Sequence, residues 1–340
     1  GLERCRQVAD RLGLGRPPFP VITVAGTNGK GSSVAMLCSV LGEAGYRVGA
    51  YTSPHLQRYN ERIRINGEEA SDTAICEAFA RVDAARAALP LTYFEFGTLS
   101  ALDIFYREEP DVVVLEIGLG GRLDAVNMID PDCALLTAID IDHVEWLGSD
   151  RESIGREKAG IFRHGRRAVC SDPRPPASIA LEASRIGARL HQLGIGFGYR
   201  LQETGWTWHR EGGRELALPP MALTGEFQYQ NAAGVIMALD LLADRLPLGE
   251  EAIVNGISAA RAPGRFQAAS LNGTPVLLDV AHNPHAATAL ARNLLSRPAG
   301  GRTRAVFGML RDKEAVGVIE QLQPFVDEWL VVSLGGPRGA

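Results

Sequence analysis

One glycine-rich segment, residues 26–32, has the composition of a loop that binds phosphate groups. It reads Gly-Thr-Asn-Gly-Lys-Gly-Ser and lies between an apolar run at 21–25 and a helical pattern at 31–44. Three glycines allow backbone N–H groups to turn toward phosphate oxygens, and the start of a helix adds partial positive charge. Lys30 is long enough to reach the β- and γ-phosphates of a nucleotide. The predicted nucleotide-binding residues are Gly26, Thr27, Asn28, Gly29, Lys30, Gly31 and Ser32.

The residue after Lys30 departs from the usual phosphate-loop pattern. In that pattern a serine or threonine directly follows the lysine and holds Mg²⁺. Here Gly31 has that place and Ser32 comes one residue later. We therefore expect a bound magnesium ion to depend on other ligands. A glycine-rich turn between a strand and a helix, without any ligand, is the alternative interpretation of the segment.

Other candidate ligands follow the ends of predicted strands. They are Ser53, Glu116, Asp140, Asp142 and His143. Ligands of open α/β sheets bind at the carboxyl ends of strands, so we expect these residues to lie at one edge. A carboxylate inside an apolar strand is costly unless it is paired or binds a metal, and this favours Glu116, with a salt bridge to a core arginine as the alternative. His143 alone is weak evidence, and Asp140 and Asp142 are equally compatible with helix caps.

Lysine is rare in this chain. Among 35 basic residues only Lys30, Lys158 and Lys313 are lysines, so arginine serves wherever either cation would do. A specific chemical reason is therefore worth seeking for each lysine. Lys158 lies in a helical pattern at 152–159, where a solvated surface lysine is the ordinary interpretation. Lys313 fits a surface helix and has no predicted role.

The composition excludes several classes of protein. The chain has 340 residues, of which 46% are hydrophobic and 22% charged, as in soluble globular proteins of about two domains. A net charge of −5 argues against a nucleic-acid surface, and no apolar run approaches the ~20 residues that span a membrane. The five cysteines include no C-x-x-C pair, which argues against a zinc ribbon or a disulfide framework and favours the cytoplasm.

Apolar runs alternate with helical patterns, which predicts an α/β fold with a mostly parallel sheet flanked by helices. The predicted strands are 21–25, 48–53, 111–117, 133–139 and 167–171, and the predicted helices are 2–12, 31–44, 72–88, 97–108, 229–245 and 250–260. Residues 197–218 are predicted to form a small antiparallel ribbon. A chain breaker at 262–265 predicts a first domain of residues 1–262 and a second of 263–340, in which βα units restart with strands at 276–280, 304–307 and 328–333.

Seven motifs occur in an order that points to one family. They are 26–32 (GTNGKGS), 53–56 (SPHL), 115–125 (LEIGLGGRLDA), 142–143 (DH), 157–161 (EKAGI), 263–266 (PGRF) and 279–284 (DVAHNP). The set resembles the folylpolyglutamate synthases of the Mur ligase superfamily, and more closely the bacterial bifunctional dihydrofolate synthase/folylpolyglutamate synthases. The resemblance covers the whole chain. It implies a phosphate-loop domain of the Mur ligase central type, followed by a smaller, Rossmann-like α/β domain.

The resemblance implies an ATP-dependent amide ligase. ATP converts a carboxylate of dihydropteroate or a reduced folate to an acyl phosphate, the amine of L-glutamate attacks, and ADP and phosphate leave. The implied cofactors are ATP, two Mg²⁺ ions and a carbamate on Lys158. A carbamate requires lysine, because the guanidinium group of arginine stays protonated. The implied partners are these small molecules alone, with no nucleic acid and no membrane, for a cytoplasmic monomer.

The resemblance also assigns roles to individual residues. The metal ligands are Ser53, Glu116, His143 and carbamylated Lys158. The catalytic residues are Lys30, Lys158 and His282, the last near the incoming glutamate. Further nucleotide contacts are Asn231, Arg265 and Asp279. The pterin-side residues are Phe94, Arg122, Leu123, Asp124 and Ala125.

Some of these assignments have structural alternatives. Phe94 is equally compatible with the core, Arg265 with a hinge ion pair, and His282 with an ordinary cap after a strand. A histidine often precedes the glutamine in the motif that contains Asn231, whereas Phe227 stands in this chain.

Four other functions remain open at this stage. They are folylpolyglutamate synthesis alone, a peptidoglycan ligase of the same superfamily, a P-loop kinase or NTPase, and a nucleotide-binding scaffold without catalysis. The second domain, 263–340, has only about three predicted strands, and members of the family extend beyond both ends of this sequence. We therefore expect the chain to be part of a longer protein with an incomplete second domain.

Overall fold

The computed structural model describes residues 2–336 and 339. It contains two compact units. The first consists of residues 1–222 and 229–261, and the second of residues 223–228 and 262–340.

The first unit is built around an eight-stranded sheet. Its strands are β1 (Val21–Ala25), β2 (Val48–Tyr51), β3 (Ile63–Ile65), β4 (Glu68–Glu69), β5 (Val112–Glu116), β6 (Cys133–Leu136), β7 (Arg167–Cys170) and β8 (Arg189–Gln192). The strand order is β4-β3-β2-β5-β1-β6-β7-β8. The neighbouring strands in the stretch β2-β5-β1-β6-β7-β8 pair in parallel. At the other end of the sheet β3 pairs antiparallel with β2, and β4 pairs antiparallel with β3.

Helices connect and cover these strands. Up to residue 261 they are α1 (Leu2–Leu12), α2 (Lys30–Glu43), α3 (Asp72–Arg86), α4 (Tyr93–Glu108), α5 (Val144–Leu147), α6 (Arg151–Ala159), α7 (Ala177–Ile186), α8 (Glu226–Leu241) and α9 (Glu250–Ala259). Every residue of β1, β2, β5 and β6 is buried, as expected for a parallel sheet covered on both faces. The described residues include no helix that is long and apolar enough to cross a membrane.

Helix α4 begins earlier than the sequence pattern predicts. Its N-cap is Thr92, whose hydroxyl accepts a hydrogen bond from the backbone of Glu95, while the Glu95 carboxylate accepts one from the backbone N–H of Thr92. This capping box satisfies N–H groups that the first turn would otherwise leave unpaired. The Glu95 carboxylate is also held by both Nε and Nη2 of Arg4 on α1. The start of α4 is therefore tied to α1 as well as capped.

A three-stranded antiparallel sheet follows at the predicted position of the ribbon. It consists of β9 (Phe197–Gln202), β10 (Gly205–Arg210) and β11 (Glu215–Leu218). Trp206 and Trp208 of β10 are fully buried. The Trp208 indole N–H donates to the carbonyl of Ala233 on α8, and the Trp206 ring packs edge-on against Tyr229. The ribbon therefore supports the first half of α8.

The second unit contains two small sheets. Its elements are β12 (Gln267–Leu271), β13 (Thr274–Leu278), α10 (Pro284–Ser296), β14 (Arg304–Phe307), α11 (Ala315–Leu322) and β15 (Glu328–Val331). β14 and β15 are parallel, as in a βα unit. β12 and β13 form an antiparallel hairpin turning at Asn272 and Gly273, which both have positive φ. The predicted strand 276–280 corresponds to β13, which precedes α10 as expected for a βα unit. The sequence pattern did not predict β12, the first arm of the hairpin, although the Asn-Gly pair is a strong hairpin turn.

The predicted fold class is confirmed, with differences in detail. The second predicted strand ends at Tyr51, so Ser53 lies in the loop that follows it. The apolar patterns did not predict β3, β4, β8 and β12, which are short or partly exposed, nor the helices α5 and α7. Edge elements carry weak apolar patterns because only part of their surface is buried.

Candidate functional site

The predicted phosphate loop runs from the end of β1 to the start of α2. A neighbouring segment holds it in place. The Thr27 backbone N–H donates to the carbonyl of Ala138, and the Thr27 hydroxyl exchanges hydrogen bonds with the backbone of Asp140. The Thr137 hydroxyl donates to the carbonyl of Asn28 at 2.7 Å. The chain after β6 therefore fixes the conformation of the loop.

Asn231 lies directly against this loop. Gly29 has φ +94°, and a Cβ added to it would lie 2.5 Å from the Asn231 Oδ1 atom. The Asn231 side chain comes from the first turns of α8 and is 3% exposed. The loop and α8 thus lie so close together that residue 29 must be glycine, because any side chain there would clash with Asn231.

Lys158 is a buried lysine. It is 4% exposed, and its Nζ atom donates to the Gly26 carbonyl at 3.0 Å. Burial, with the nearby charge of Lys30 as a second cause, lowers the pKa of Lys158 to about 7. The surface interpretation of Lys158 is therefore wrong for this fold, since a solvated lysine would keep its charge and its exposure.

Glu116 and Ser53 meet at the carboxyl ends of adjacent parallel strands. The Glu116 carboxylate is at the last residue of β5, and its Oε2 atom accepts a hydrogen bond from the Ser53 backbone N–H at 3.2 Å. Glu116 is 4% exposed, whereas Ser53 is partly exposed beside a cis bond to Pro54. The predicted strand-edge arrangement of these two residues is present.

His143 lies in the segment that also holds the phosphate loop. It adopts a left-handed backbone conformation with φ +52°, and its Nε2 atom is 3.9 Å from the Asp142 carboxylate. Asp142 also acts on Lys158, where its negative charge favours the protonated amine. The segment 140–143 therefore lies close to Lys158 and, through Asp140 and Thr27, to the phosphate loop.

Residues 118–124 form a loop whose backbone is held by hydrogen bonds to the side chain of Asp124. Oδ2 of Asp124 accepts hydrogen bonds from the backbone of Gly118 and Leu119, and Oδ1 accepts one from Val126. Asp124 is 7% exposed, and burial raises its pKa to about 6. At neutral pH its carboxylate orders the backbone of this loop.

The same loop packs on the helix that carries Lys158. A Cβ added to Gly121 would lie 2.9 Å from the Lys158 Cα atom. The Arg122 backbone N–H donates to the Glu157 carbonyl, and the two side chains form an ion pair at 3.0 Å. The loop therefore positions Lys158 through its own backbone.

The aromatic rings of Phe94 and Tyr51 lie close together, and Phe94 contacts this loop at Gly118. A Cβ on Gly118 would lie 2.6 Å from Cζ of Phe94, and the Phe94 ring centre is 6.0 Å from that of Tyr51. Phe94 is partly exposed, Leu123 is 60% exposed, and Ala125 is buried. Of the predicted pterin-side residues, Phe94 and Leu123 offer apolar surface, while Asp124 is engaged by backbone groups.

Three predicted residues lie in the second unit. Asp279 accepts hydrogen bonds from the backbone of Phe266 and Ala281, and burial raises its pKa. The His282 Nδ1 atom is 3.0 Å from the carbonyl of Val280, and Arg265 is partly exposed next to Phe266. Asp279 thus orders the turn that presents Arg265.

Several supporting residues were not singled out from the sequence. Thr137 holds the phosphate loop, and Arg4 holds the carboxylate that caps the helix of Phe94. The T-x-x-E spacing at 92–95 was a readable signal for that cap. No local signal marks Thr137 or Arg4, because their partners are distant along the chain.

The donor set fits a divalent cation. Glu116 and Ser53 place a buried carboxylate and a hydroxyl at neighbouring strand ends, and oxygen ligands are those that Mg²⁺ prefers. Within the described ranges, no three His, Cys, Asp or Glu residues come together as a metal-binding group. A cation would therefore need ligands outside those four residue types, such as Ser53 or a modified Lys158.

Family models cover most of the chain. Residues 24–239 match the Mur ligase middle domain, and residues 264–340 match the Mur ligase glutamate ligase domain. With the phosphate loop at the end of β1 and the polar residues at neighbouring strand ends, these matches define a ligase of the Mur type.

Individual proteins that are similar in sequence and structure indicate which kind of Mur-type ligase this chain resembles. The chain is 48% identical to dihydrofolate synthase/folylpolyglutamate synthase of Escherichia coli strain K12, over 100% of its own length and 79% of that protein. The E. coli structure in complex with DHPP and ADP matches with a TM-score of 0.94 and 48% identity, over 100% of this chain and 80% of that one. A bifunctional folylpolyglutamate synthase/dihydrofolate synthase with Mn, AMPPNP and L-glutamate bound matches with a TM-score of 0.91 and 49% identity, over 100% and 81%.

The chain belongs to the dihydrofolate synthase/folylpolyglutamate synthase family. It is an ATP-dependent C–N ligase, and the predictions of family, fold class and glutamate ligation are confirmed. The kinase, NTPase and scaffold interpretations are not favoured. Relatives solved with ADP, AMPPNP and Mn support binding of ATP and a divalent metal ion by this chain.

Proposed function

We propose that this chain joins L-glutamate both to dihydropteroate and to reduced folates, through acyl phosphate intermediates. The observation that carries the proposal is a convergence at the sheet edge. Lys30 and Lys158 share the Gly26 carbonyl, and Glu116 meets Ser53 on the neighbouring strands. Cationic and anionic groups are thus gathered where the first βα turn would hold a triphosphate.

The phosphate loop and Lys30 bind the phosphates of ATP in this proposal. The Lys30 Nζ atom donates to the Gly26 and Thr27 carbonyls at 3.0 and 3.1 Å, so it is held over the loop. Asn231 supports the nucleotide from α8, as its contact with Gly29 suggests. Arg265 and Asp279 are proposed as nucleotide contacts of the second unit.

Ser53, Glu116 and His143 would hold one Mg²⁺ ion. A bound divalent cation would offset negative charge that develops on the transferred phosphoryl group. Glu116 suits this role because a buried carboxylate needs a positive partner. Its contact with the Ser53 backbone keeps the loop after β2 within reach.

Lys158 is proposed to carry a carbamate and so help to hold a second Mg²⁺ ion. A neutral amine attacks the carbon of CO₂, a C–N bond forms, an oxygen takes the negative charge, and one proton is released. The Lys158 amine is buried against the Gly26 carbonyl, and a pKa of about 7 supplies the neutral form. An arginine would stay protonated there.

The reaction then has two steps. The substrate carboxylate attacks the γ-phosphorus of ATP, an O–P bond forms, and the bond to ADP breaks. The glutamate nitrogen next attacks the acyl carbon, a C–N bond forms, the bond to phosphate breaks, and the amine loses a proton. His282 is proposed to lie near this amine.

The pterin end of the substrate is assigned to the first unit. The partly exposed Phe94 ring and Leu123 provide apolar surface, and Arg122 is 59% exposed at its side chain. Asp124 and Ala125 shape the same loop. A small apolar surface of this kind suits a flat heteroaromatic ring.

An ADP-release assay tests the proposal. Purified protein is given ATP, Mg²⁺ and either dihydropteroate or tetrahydrofolate, each with and without L-glutamate. We expect glutamate-dependent ADP release with both acceptors and amide products of the corresponding mass. Release with tetrahydrofolate alone would contradict the dihydropteroate half of the proposal. Release without glutamate, and without amide product, would contradict ligation itself.

A further inference from the structure

A one-turn helix, α5, follows His143 directly. The His143 carbonyl accepts hydrogen bonds from the backbone of Trp146 at 2.9 Å and of Leu147 at 3.0 Å. Leu147 packs against the hydrophobic core, and its Cδ2 atom would lie 3.0 Å from a Cβ on Gly120. α5 is therefore bonded at its start to His143, a proposed metal ligand, and packs at its end against Gly120 in the loop 118–124.

Trp146 differs from the other tryptophans of the chain. It is 75% exposed, whereas Trp206 and Trp208 are completely buried and Trp329 is partly buried. An indole ring carries a large apolar surface and gains stability when that surface is covered. Leu147 packs α5 against the core, whereas most of the surface of the Trp146 indole is left in solvent.

Other exposed apolar side chains occur on the same two segments. We call them the apolar rim, and they are Leu119, Leu123, Ile141, Val144 and Trp146. The first two lie in the loop after Glu116, and the other three surround His143. The two segments meet at Leu147 and Gly120, so these exposed apolar side chains flank that contact, and exposed apolar surface of this kind indicates a ligand surface.

The two acceptor substrates differ in what lies beside the reacting carboxylate. In dihydropteroate the carboxylate is bonded directly to the aromatic aminobenzoyl ring. In a reduced folate the reacting carboxylate is at the end of a flexible glutamyl chain, so the ring is several bonds away. A reacting carboxylate held at the proposed metal site would place the ring of dihydropteroate near α5, whose backbone is bonded to His143, whereas the ring of a reduced folate would lie several bonds farther away.

We propose that Trp146 stacks on the aminobenzoyl ring of dihydropteroate and so favours this acceptor over reduced folates. The inference rests on the proposed function, since it requires both activities. It makes Trp146 a specificity-determining residue of the dihydrofolate synthase reaction. Ile141 and Val144, the other rim residues around His143, give the ring an apolar surround, and they have no aromatic face of their own.

Steady-state ADP release of Trp146→Ala, Trp146→Phe and the control Trp329→Phe tests this proposal. We expect Trp146→Ala to raise KM for dihydropteroate about tenfold, the order expected for one lost stacking contact, with a smaller change in kcat. KM for tetrahydrofolate should change less than about threefold. Trp146→Phe should keep most of the affinity, and Trp329→Phe should behave as the unmodified protein.

Two results would overturn the proposal. One is an equal change of KM for both acceptors, and the other is no change in Trp146→Ala for dihydropteroate. A thermal unfolding curve of each variant identifies any general loss of folding, and Trp146→Phe then gives the comparison. If the unmodified protein itself fails to use dihydropteroate, the proposed function fails, and this outcome is distinct from a failure of the Trp146 assignment.

Discussion

Lys30 and Lys158 donate hydrogen bonds to the same carbonyl oxygen, that of Gly26, at 3.0 Å each. The two amines come from residues 128 positions apart in sequence and meet at the end of β1. Two cations this close disfavour each other's charge, and Lys158, the more buried, has the lowered pKa. Two of the three lysines of the chain are thus placed together at the site where phosphate and carbamate chemistry is proposed.

Replacement of Lys158 by arginine should nearly abolish ADP release. Arginine keeps a positive charge and a similar length, but it cannot form a carbamate. We expect kcat to fall by at least about 100-fold, the order seen when one group that stabilises transition-state charge is removed. Lys313→Arg is the matched control and should retain full activity. Comparable activity in both variants would argue against the carbamate.

The buried Lys158 amine should also make stability depend on pH. Its pKa is about 7 in the folded protein and near 10.5 when unfolded, so between these values the unfolded chain binds more protons. The free energy of unfolding therefore rises with pH across this window, at up to about 1.4 kcal/mol per pH unit. Lys158→Met lacks this dependence.

Urea unfolding of both proteins in CO₂-free buffer provides the measurement. Lys158→Met should gain stability relative to the unmodified protein as the pH falls from 10 to 7, by up to roughly 4 kcal/mol, because the buried amine costs about 1.4 kcal/mol per pH unit in this window and methionine binds no proton. The difference should shrink as the pH approaches 10. A constant difference at all pH values would contradict the lowered pKa.

Glu116→Gln should raise the Mg²⁺ concentration needed for activity. The substitution keeps the size of the side chain but removes the negative charge that would attract the cation. We expect about a 10- to 100-fold weaker response to Mg²⁺, in line with the loss of a metal contact. Titration of ADP release with MgCl₂ measures it, with the exposed Glu68→Gln as control. An unchanged titration curve would remove Glu116 from the metal site.

Gly29→Ala should weaken the use of ATP. Residue 29 has φ +94°, and the added Cβ would lie 2.5 Å from the Asn231 Oδ1 atom, so the loop or α8 must shift. We expect KM for ATP to rise about tenfold or more, as for other misplacements close to reacting groups. Gly165→Ala is matched in backbone conformation, with φ +68°, but has open space around it. A similar KM in both variants would show that backbone strain alone matters.

Asp124→Asn should loosen the loop 118–124. A carboxamide has one acceptor oxygen, so it cannot serve the three backbone N–H groups that the carboxylate now accepts. We expect the free energy of unfolding to fall by about 1–3 kcal/mol, the cost of unsatisfied buried donors. Chemical unfolding measures it, with Asp130→Asn as control, since Asp130 is an exposed partner of Arg163. Equal effects at both positions would contradict the anchoring role.

The local motifs predicted much of the site because their chemistry is contained within a few residues. The phosphate loop needs three glycines, a lysine and a helix start in one short stretch, and all are contiguous at 26–32. Glu116 was recognisable because a carboxylate ends an apolar strand. Strand β13 was predicted but its hairpin partner β12 was not, although the Asn272-Gly273 turn between them was present in the sequence.

Contacts between distant residues could not be read in this way. Lys158 has the sequence pattern of an ordinary surface-helix lysine, but the loop at Gly121 packs on its helix and its amine reaches the Gly26 carbonyl, so the side chain is buried. Arg4 and Glu95 are 91 residues apart, and no periodicity relates them. Burial and long-range pairing depend on how the elements pack together, and a local pattern does not carry that information.

The sequence by itself determined the family and the order of the chemical motifs, because each motif is a short contiguous segment. It also determined the α/β fold class, because strands and helices have regular apolar spacing. The tertiary structure alone decided that Lys30 and Lys158 share one carbonyl, that Glu116 lies beside Ser53, and that Trp146 remains in solvent. These relationships arise when a parallel sheet brings the ends of separate strands to a common edge, which no single segment of the chain specifies.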